Sequence, residues 1–82
     1  MLPEELLTRI SVEPEICHGK ACLKGHRIPV SMILDMLSAG EEPMAILAAY
    51  PQLDDLDLRA CLAYGAFLSR GESKTITLPS AS

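Results

Sequence analysis

The sequence has little positive charge. Seven lysine and arginine residues stand against eleven aspartate and glutamate residues, which gives a formal net charge of −4 at pH 7. This balance argues against a protein coated in basic charge for non-specific binding to nucleic acid. The chain also lacks an apolar run long enough to span a bilayer and a start typical of a signal peptide. With three cysteines, an odd number, we expect a cytoplasmic protein with free thiols and no membrane contact.

The residue patterns of catalysis are missing too. The sequence has no Ser-His-Asp set, no pair of carboxylates in an apolar setting and no cofactor motif. Cys61 stands in the apolar run RACLAYGAF without a histidine near it in sequence. We expect Cys61 to be a small core residue with an inert thiol. The protein is therefore predicted to be non-enzymatic and to use no cofactor.

What the sequence does have is apolar content in a short chain. Eighty-two residues make one small domain, placed here at residues 1–71, with a flexible tail at 72–82. A domain of this size buries only about 60% of its unfolded surface. Yet 49% of the residues are hydrophobic, more than one small core hides. We therefore expect a homodimer or a stable complex with another protein.

The second half of the chain predicts three helices over about residues 31–70. Ser31 is a good N-cap for the first helix, and Gly40 stands where a helix-ending glycine belongs. The second helix has Pro43 in its first turn. The third is capped by Asp54 and runs from about residue 55 to Arg70. Its apolar residues cover more than one stripe, so its outer face, around Cys61, Tyr64 and Leu68, is the predicted dimer interface.

The first half predicts extended structure. The stretch MLPEELLTR suits a short helical turn, and Ile10 and Val12 alternate with polar residues as in a half-buried strand. Gly19 and Gly25 indicate two turns, with extended segments at about 21–23 and 27–30. We therefore predict a short β-hairpin within residues 9–30, with Pro29 on an edge strand.

The stretch HGKACLKGHRIPV contains residue types that bind metals. Cys17, His18, Cys22 and His26 lie within ten residues, but they lack the paired Cys-x-x-Cys spacing common in zinc sites. Adjacent side chains of an extended segment point apart, which removes Cys17 or His18 from any shared site. The stretch also lacks the Gly-x-x-x-x-Gly-Lys-Ser/Thr phosphate loop. We therefore predict neither a metal site nor a nucleotide site.

Charge divides the chain into two parts. Residues 9–30 contain four basic and two acidic side chains, whereas residues 31–71 contain six acidic and two basic ones. The four basic residues are predicted to contact a partner or nucleic acid: Arg9, Lys20, Lys24 and Arg27. For Arg27, a contact within the chain, to Asp35, to Glu13 or to a last-turn carbonyl, is the alternative.

Several motifs resemble one family. They are Arg9-Ile10, Glu13-Pro14, Gly19-Lys20, Gly25-His26-Arg27-Ile28-Pro29-Val30, Gly40 and Tyr50-Pro51-Gln52-Leu53. Over about Arg9 to Leu68 the chain resembles the family called domain of unknown function 433. Ala21 departs from the family pattern, which usually has proline there, and this loosens the first turn.

The resemblance implies a mainly α fold: a three-helix, homeodomain-like helix-turn-helix core preceded by a short β-hairpin. It also implies an antitoxin-like protein that pairs with a toxin of PIN-like ribonuclease fold, without catalytic residues or a metal. DNA binding by a transcriptional regulator is an alternative, and a structural dimer of unknown role is another. DNA binding through the last helix is disfavoured because Asp54, Asp55 and Asp57 would face phosphates.

Overall fold

The computed structural model of the protein describes residues 2–72, so most of the predicted tail at 72–82 lies outside the described residues. Within that range the chain forms four α-helices, three short β-strands and two 3-10 turns. In order they are α1 (Pro3–Leu6), a 3-10 turn (Leu7–Arg9), β1 (Ile10–Ser11), a 3-10 turn (Cys17–Gly19), β2 (Cys22–Leu23), β3 (Ile28–Pro29), α2 (Val30–Ser38), α3 (Pro43–Ala49) and α4 (Asp55–Glu72). The prediction of a small helical domain preceded by a hairpin is confirmed.

The strands form one antiparallel sheet in the order β1-β2-β3. Ile10 lies opposite Leu23 across the first pair, and Leu23 lies opposite Ile28 across the second. Leu23 and Ile28 are buried, so this face of the sheet closes one end of the core. Pro29 lies on β3 at an edge of the sheet, where a residue without an N–H is tolerated.

Helix α2 and its N-cap lie two residues earlier than the sequence predicts. Val30 is its first residue, so Ser31 lies in the first turn and is not the N-cap. Pro29 takes the N-cap position in an extended conformation, which its ring favours. The end agrees with the prediction, because Gly40 has a φ of +98°. The Gly40 amide donates to the Leu37 carbonyl and the Glu41 amide to the Met36 carbonyl, which is the Schellman pattern.

The other two predicted helices lie close to their expected positions. Pro43 is the first residue of α3, where its missing N–H leaves no hydrogen bond unmade. Helix α4 runs two residues past Arg70, since Gly71 continues the helix and is not among the glycines with positive φ. The short helix α1 packs against α4, which adds a fourth helix to the predicted three.

The core lies between the sheet and the helices. It is built from buried apolar side chains of the four helices, of β2 and β3 and of the segment before α4, namely Leu6, Leu23, Ile28, Val30, Ile33, Ile46, Leu53, Leu58, Ala60 and Cys61. Cys61 is 0% exposed. It was predicted both as a core residue and as part of the outer face of the last helix, and it lies in the core. The reason is that Cys61 follows Leu58 at the three-residue spacing of a helix face, so both point inward.

Candidate functional site

Arg9, one of the four predicted contact residues, forms ion pairs within the chain. The guanidinium of Arg9 donates from Nη1 to Asp54 Oδ1 at 3.1 Å and to Asp57 Oδ1 at 3.0 Å. The hydrogen bond to Asp57 is the main cause that raises the pKa of Arg9. This contact ties the start of β1 to the start of α4 across more than forty residues of sequence. Arg9 therefore does not belong to the freely exposed basic surface.

The same two carboxylates cap α4. Asp54 Oδ1 accepts a hydrogen bond from the Asp57 amide at 3.0 Å, and Asp57 Oδ2 accepts one from the Asp54 amide at 3.1 Å. This reciprocal pair is a capping box built with aspartate at both positions. The backbone amide of Asp57 is the main cause that lowers the pKa of Asp54, and Arg9 adds to it. At the start of α4, Asp54 and Asp57 are thus already satisfied within the chain.

Two of the remaining basic residues flank a tight turn between β2 and β3. Residues 24–27, called the hairpin tip below, contain Lys24 and Arg27, and both are exposed. The His26 amide donates to the Leu23 carbonyl at 3.0 Å, which closes a β-turn around Gly25. Gly25 has a φ of +85° at the third position of this turn, as in type II turns. The turn thus places Lys24 and Arg27 in the same four-residue connection between β2 and β3.

Arg27 has an unusual backbone for its residue type. Its φ is +57°, in the left-handed region where a non-glycine residue loses about 1–2 kcal/mol. Neither of the anticipated salt bridges, to Asp35 or to Glu13, occurs, and within residues 2–72 no ion pair involves Arg27. The side chain is therefore presented to solvent from a conformation that glycine would adopt more easily.

Lys20 lies apart from the hairpin tip, at the other end of β2. It lines an apolar groove between the sheet, α2 and α4 with a volume of about 390 Å³. The groove is lined by Val12, Gly19, Lys20, Ala21, Val30, Ser31, Leu34, Tyr64, Gly65 and Leu68. Two residues of the predicted dimer interface, Tyr64 and Leu68, therefore lie together in this groove, whereas Cys61 lies below them in the core. Burial raises the pKa of Cys61 to about 12, which keeps its thiol protonated.

A second left-handed segment contacts the hairpin tip. Cys17, His18 and Gly19 all have positive φ, at 54°, 56° and 80°. The Cys17 thiol donates from Sγ to the Arg27 carbonyl at 3.3 Å. Desolvation by burial is the first cause that raises the pKa of Cys17, and the Cys22 thiol adds to it. The sequence does not show this contact, because the positive φ of Cys17 and Arg27 has no residue-type signal; only Gly19 and Gly25 indicate turns there.

The potential metal ligands do not converge. Within residues 2–72 there is no group of three or more histidine, cysteine, aspartate or glutamate side chains that could hold a metal ion. All three cysteines, Cys17, Cys22 and Cys61, are free thiols. In the same range, no helix is both long and apolar enough to cross a membrane.

Comparison with known proteins places the chain in a family. A family model described as "Protein of unknown function (DUF433)" matches residues 10–65. A crystal structure of a DUF433 member protein from Anabaena variabilis is 28% identical, with a TM-score of 0.69. The alignment covers 87% of this chain but 66% of that one, so the chain spans about two thirds of its length. No curated protein matches. The family model covers well over half of the residues, from β1 through most of α4, and this chain therefore belongs to the DUF433 family.

Proposed function

We propose that the chain is a non-enzymatic, antitoxin-like interaction module that binds a PIN-like ribonuclease toxin through the hairpin tip. The observation that supports this most directly is Arg27. Its exposed guanidinium has no ion pair within residues 2–72, and its left-handed backbone would suit glycine better. Backbone strain that the rest of the fold must hold in place is common at binding sites.

The chemistry of the hairpin tip indicates the kind of partner. Lys24 and Arg27 place two cations on a short, hydrogen-bonded turn. Arginine forms bidentate hydrogen bonds with carboxylates, and a preorganised turn loses little entropy when it binds. The active sites of PIN-like ribonucleases are acidic metal sites, so a basic turn can cover one. The three free thiols suit the reducing cytoplasm, where we place the complex.

Regulatory DNA binding is the second candidate, because the same cations could contact phosphates. The start of α4 disfavours the usual helix-turn-helix mode. Asp54 and Asp57 hold Arg9, and Asp55 pairs with Arg59, so the cations near this end are already used. DNA would have to be bound by the hairpin tip and by Lys20, in which case affinity would fall steeply with salt.

Binding to a PIN-like protein encoded beside this gene tests the proposal. The full chain should form a complex measurable by titration calorimetry, and Arg27→Glu should weaken it at least about tenfold, as expected for a charged group at the centre of an interface. Arg59→Glu makes the same change of charge on α4, and we expect it to change the affinity less than about twofold.

Two results would count against the proposal. One is the absence of any complex with a neighbouring PIN-like protein. The other is an equal loss of affinity in Arg27→Glu and Arg59→Glu, which would reflect net charge alone. A gel shift on the chain's own promoter that disappears in Lys24→Glu and Arg27→Glu would favour the DNA candidate instead.

A further inference from the structure

The apolar groove between the sheet, α2 and α4 takes no part in the function proposed above, which uses the hairpin tip. Its walls include a buried and an exposed valine: Val30 is 3% exposed and Val12 is 57% exposed. Its volume of about 390 Å³ lies within the range of about 300–1,000 Å³ that small-molecule sites have. The groove therefore has the size and the lining of a site for a small apolar molecule.

Gly65 leaves room in the groove although a glycine inside a helix lowers stability. It lies within α4 and is not among the glycines with positive φ, so its backbone suits any residue. A Cβ at this position would meet the Leu34 side chain at 3.4 Å, an ordinary van der Waals contact. Glycine inside a helix is less favourable than alanine because it loses more conformational freedom on folding. Neither the backbone nor the packing thus requires glycine here, and what Gly65 provides is open space between α2 and α4.

The charge of the groove indicates the kind of ligand. Among its lining residues, all within residues 2–72, Lys20 alone is charged and none is acidic, although the whole chain has a net charge of −4. Lys20 is exposed, and it belongs to none of the ion pairs of Arg9 and Arg59. Ser31 and Tyr64 also line the groove and have hydroxyl groups that can donate to a carboxylate. This lining fits a molecule with an aliphatic chain and one negative group.

We propose that the groove binds a small amphipathic carboxylate, whose aliphatic chain lies along the apolar walls and whose carboxylate pairs with Lys20. If each heavy atom takes about the 30 Å³ of a water molecule in the liquid, the 390 Å³ of the groove hold about a dozen heavy atoms. Decanoate, with ten carbons and two oxygens, is the matching probe. No residue of the hairpin tip lines the groove, so this site does not depend on the function proposed above.

The ligand also acts on the assembly of the chain. Tyr64 and Leu68 line the groove and belong to the predicted dimer interface. A carboxylate that covers them competes with a second copy of the chain for the same apolar surface. By mass action, the ligand therefore shifts a dimer of this kind towards the monomer.

An NMR titration of the full chain with decanoate measures the affinity and the place of binding together. We expect a dissociation constant below about 1 mM, which is in the range for a dozen heavy atoms. The amide signals of Gly19 and Gly65, which line the groove, should move. Those of Gly25 and Gly40, which do not line it, should stay in place. Shifts of all four glycines alike, or no saturation below about 10 mM, would overturn the proposal.

Two other probes separate the role of the chain from the role of the charge. Decyltrimethylammonium keeps the ten-carbon chain and reverses the charge, whereas acetate keeps the carboxylate without the chain. Each should bind at least about tenfold more weakly than decanoate, because one loses the attraction of Lys20 and the other loses the apolar burial. Equal binding of the two ten-carbon probes would show that the groove does not recognise a carboxylate, and the proposal would fail.

A charge variant tests the contact with Lys20. Lys20→Gln should weaken decanoate binding about two- to fivefold, as for the loss of a solvent-exposed ion pair. Arg59→Gln removes the same charge from α4 outside the groove and should change the affinity by less than about 1.5-fold. An equal loss in the two variants would reflect net charge alone and would contradict the pairing with Lys20.

A second pair of variants tests the open space at Gly65. Gly65→Leu adds a side chain beside Leu34 and should weaken decanoate binding at least about tenfold, whereas Gly71→Leu, on the same helix outside this groove, should not. Gly65→Ala fills less space and should weaken binding about threefold, while it raises the midpoint of thermal unfolding by about 4–8 °C. Unchanged binding in Gly65→Ala would contradict the site even where the leucine variant does not fold.

Light scattering tests the effect on assembly. At a protein concentration that gives a dimer, saturating decanoate should shift the mass towards the 8.9 kDa of one chain, and the same concentration of acetate should not. A dimer that keeps its mass while decanoate fills the groove would refute the competition.

Discussion

Two ion pairs at the start of α4 differ in how much water reaches them. The Asp57 side chain is 8% exposed and bonds both Arg9 and the Asp54 amide. Asp55 and Arg59 form a pair with side chains 60% and 64% exposed. Water screens the Asp55–Arg59 pair, so this pair adds little to stability. The Asp57 carboxylate is buried, so water cannot take the place of its hydrogen-bond partners unless the structure rearranges.

We therefore expect Asp57→Ala to lower the free energy of unfolding by about 2 kcal/mol, because the Asp54 amide and Arg9 each lose a hydrogen bond to the buried Asp57 carboxylate. Arg59→Ala should lower it by no more than about 0.5 kcal/mol. Urea denaturation of both variants measures the difference. Equal destabilisation would mean that the Arg9–Asp57 contact adds nothing beyond a surface pair.

Arg27 offers a test of backbone conformation at a single residue. Because its φ is +57°, Arg27→Gly should leave the stability unchanged or raise it by up to about 1 kcal/mol. Arg27→Val should lower it by more than about 1 kcal/mol, since β-branched residues are rarely found at positive φ. Thermal unfolding of the two variants makes the comparison. A valine variant as stable as the glycine variant would contradict the left-handed conformation.

At the scale of elements, two glycines in similar open space play opposite roles. A Cβ added at Gly40 or at Gly71 would meet nothing within 4 Å, so neither alanine substitution changes the packing. Gly40 ends α2 with a φ of +98°, whereas Gly71 lies within α4. Gly40→Ala should therefore destabilise the protein by about 1 kcal/mol, and Gly71→Ala should stabilise it by up to about 1 kcal/mol.

Chemical denaturation followed by circular dichroism measures whether each alanine substitution lowers or raises the free energy of unfolding. Gly71 is close to the end of α4, where helices fray. The stabilisation by Gly71→Ala should therefore be smaller than the destabilisation by Gly40→Ala. If both alanine variants were destabilised alike, the end of α2 would not depend on the conformation of Gly40.

The sequence predicts helix boundaries better than it predicts contacts. Gly40 and Pro43 have conformational preferences strong enough to mark the end of α2 and the start of α3 from local sequence alone. Ser31 is not the N-cap of α2 because Pro29, two residues earlier and with a fixed φ, takes that position. The Arg9–Asp54 contact joins residues 45 apart, and no local pattern indicates such a pair.

The whole molecule joins its basic and acidic parts through Arg9. The sequence suggests that the two parts face different partners or face each other across an interface. Within one chain, Arg9 of the basic part already forms ion pairs with Asp54 and Asp57 of the acidic part. Part of the opposite charge is therefore paired without a partner. Within residues 2–72, Lys20 beside the apolar groove and Lys24 and Arg27 at the far end of β2 belong to none of the ion pairs of Arg9 and Arg59. The molecule thus offers two separate surfaces, one charged and one apolar.

The apolar surface is where we expect a second copy of the chain. Helix α4 has 18 residues and so extends roughly 27 Å, and its inward stripe continues past the core as Tyr64 and Leu68. Leu68 is 44% exposed and the neighbouring Phe67 is 51% exposed. Pairing two chains over this stripe would remove these side chains from water and gain about 25 cal/mol for each Å² of apolar surface buried.

Light scattering should therefore give a mass near twice the 8.9 kDa of one chain at micromolar concentration. Leu68→Glu should convert the protein to a monomer, because each dimer would bury two unpaired carboxylates. Leu62→Glu is the matched control: Leu62 is 53% exposed on another side of α4, and it does not line the groove. A monomeric wild-type protein would refute the dimer, and equal dissociation in both variants would place the interface elsewhere on α4.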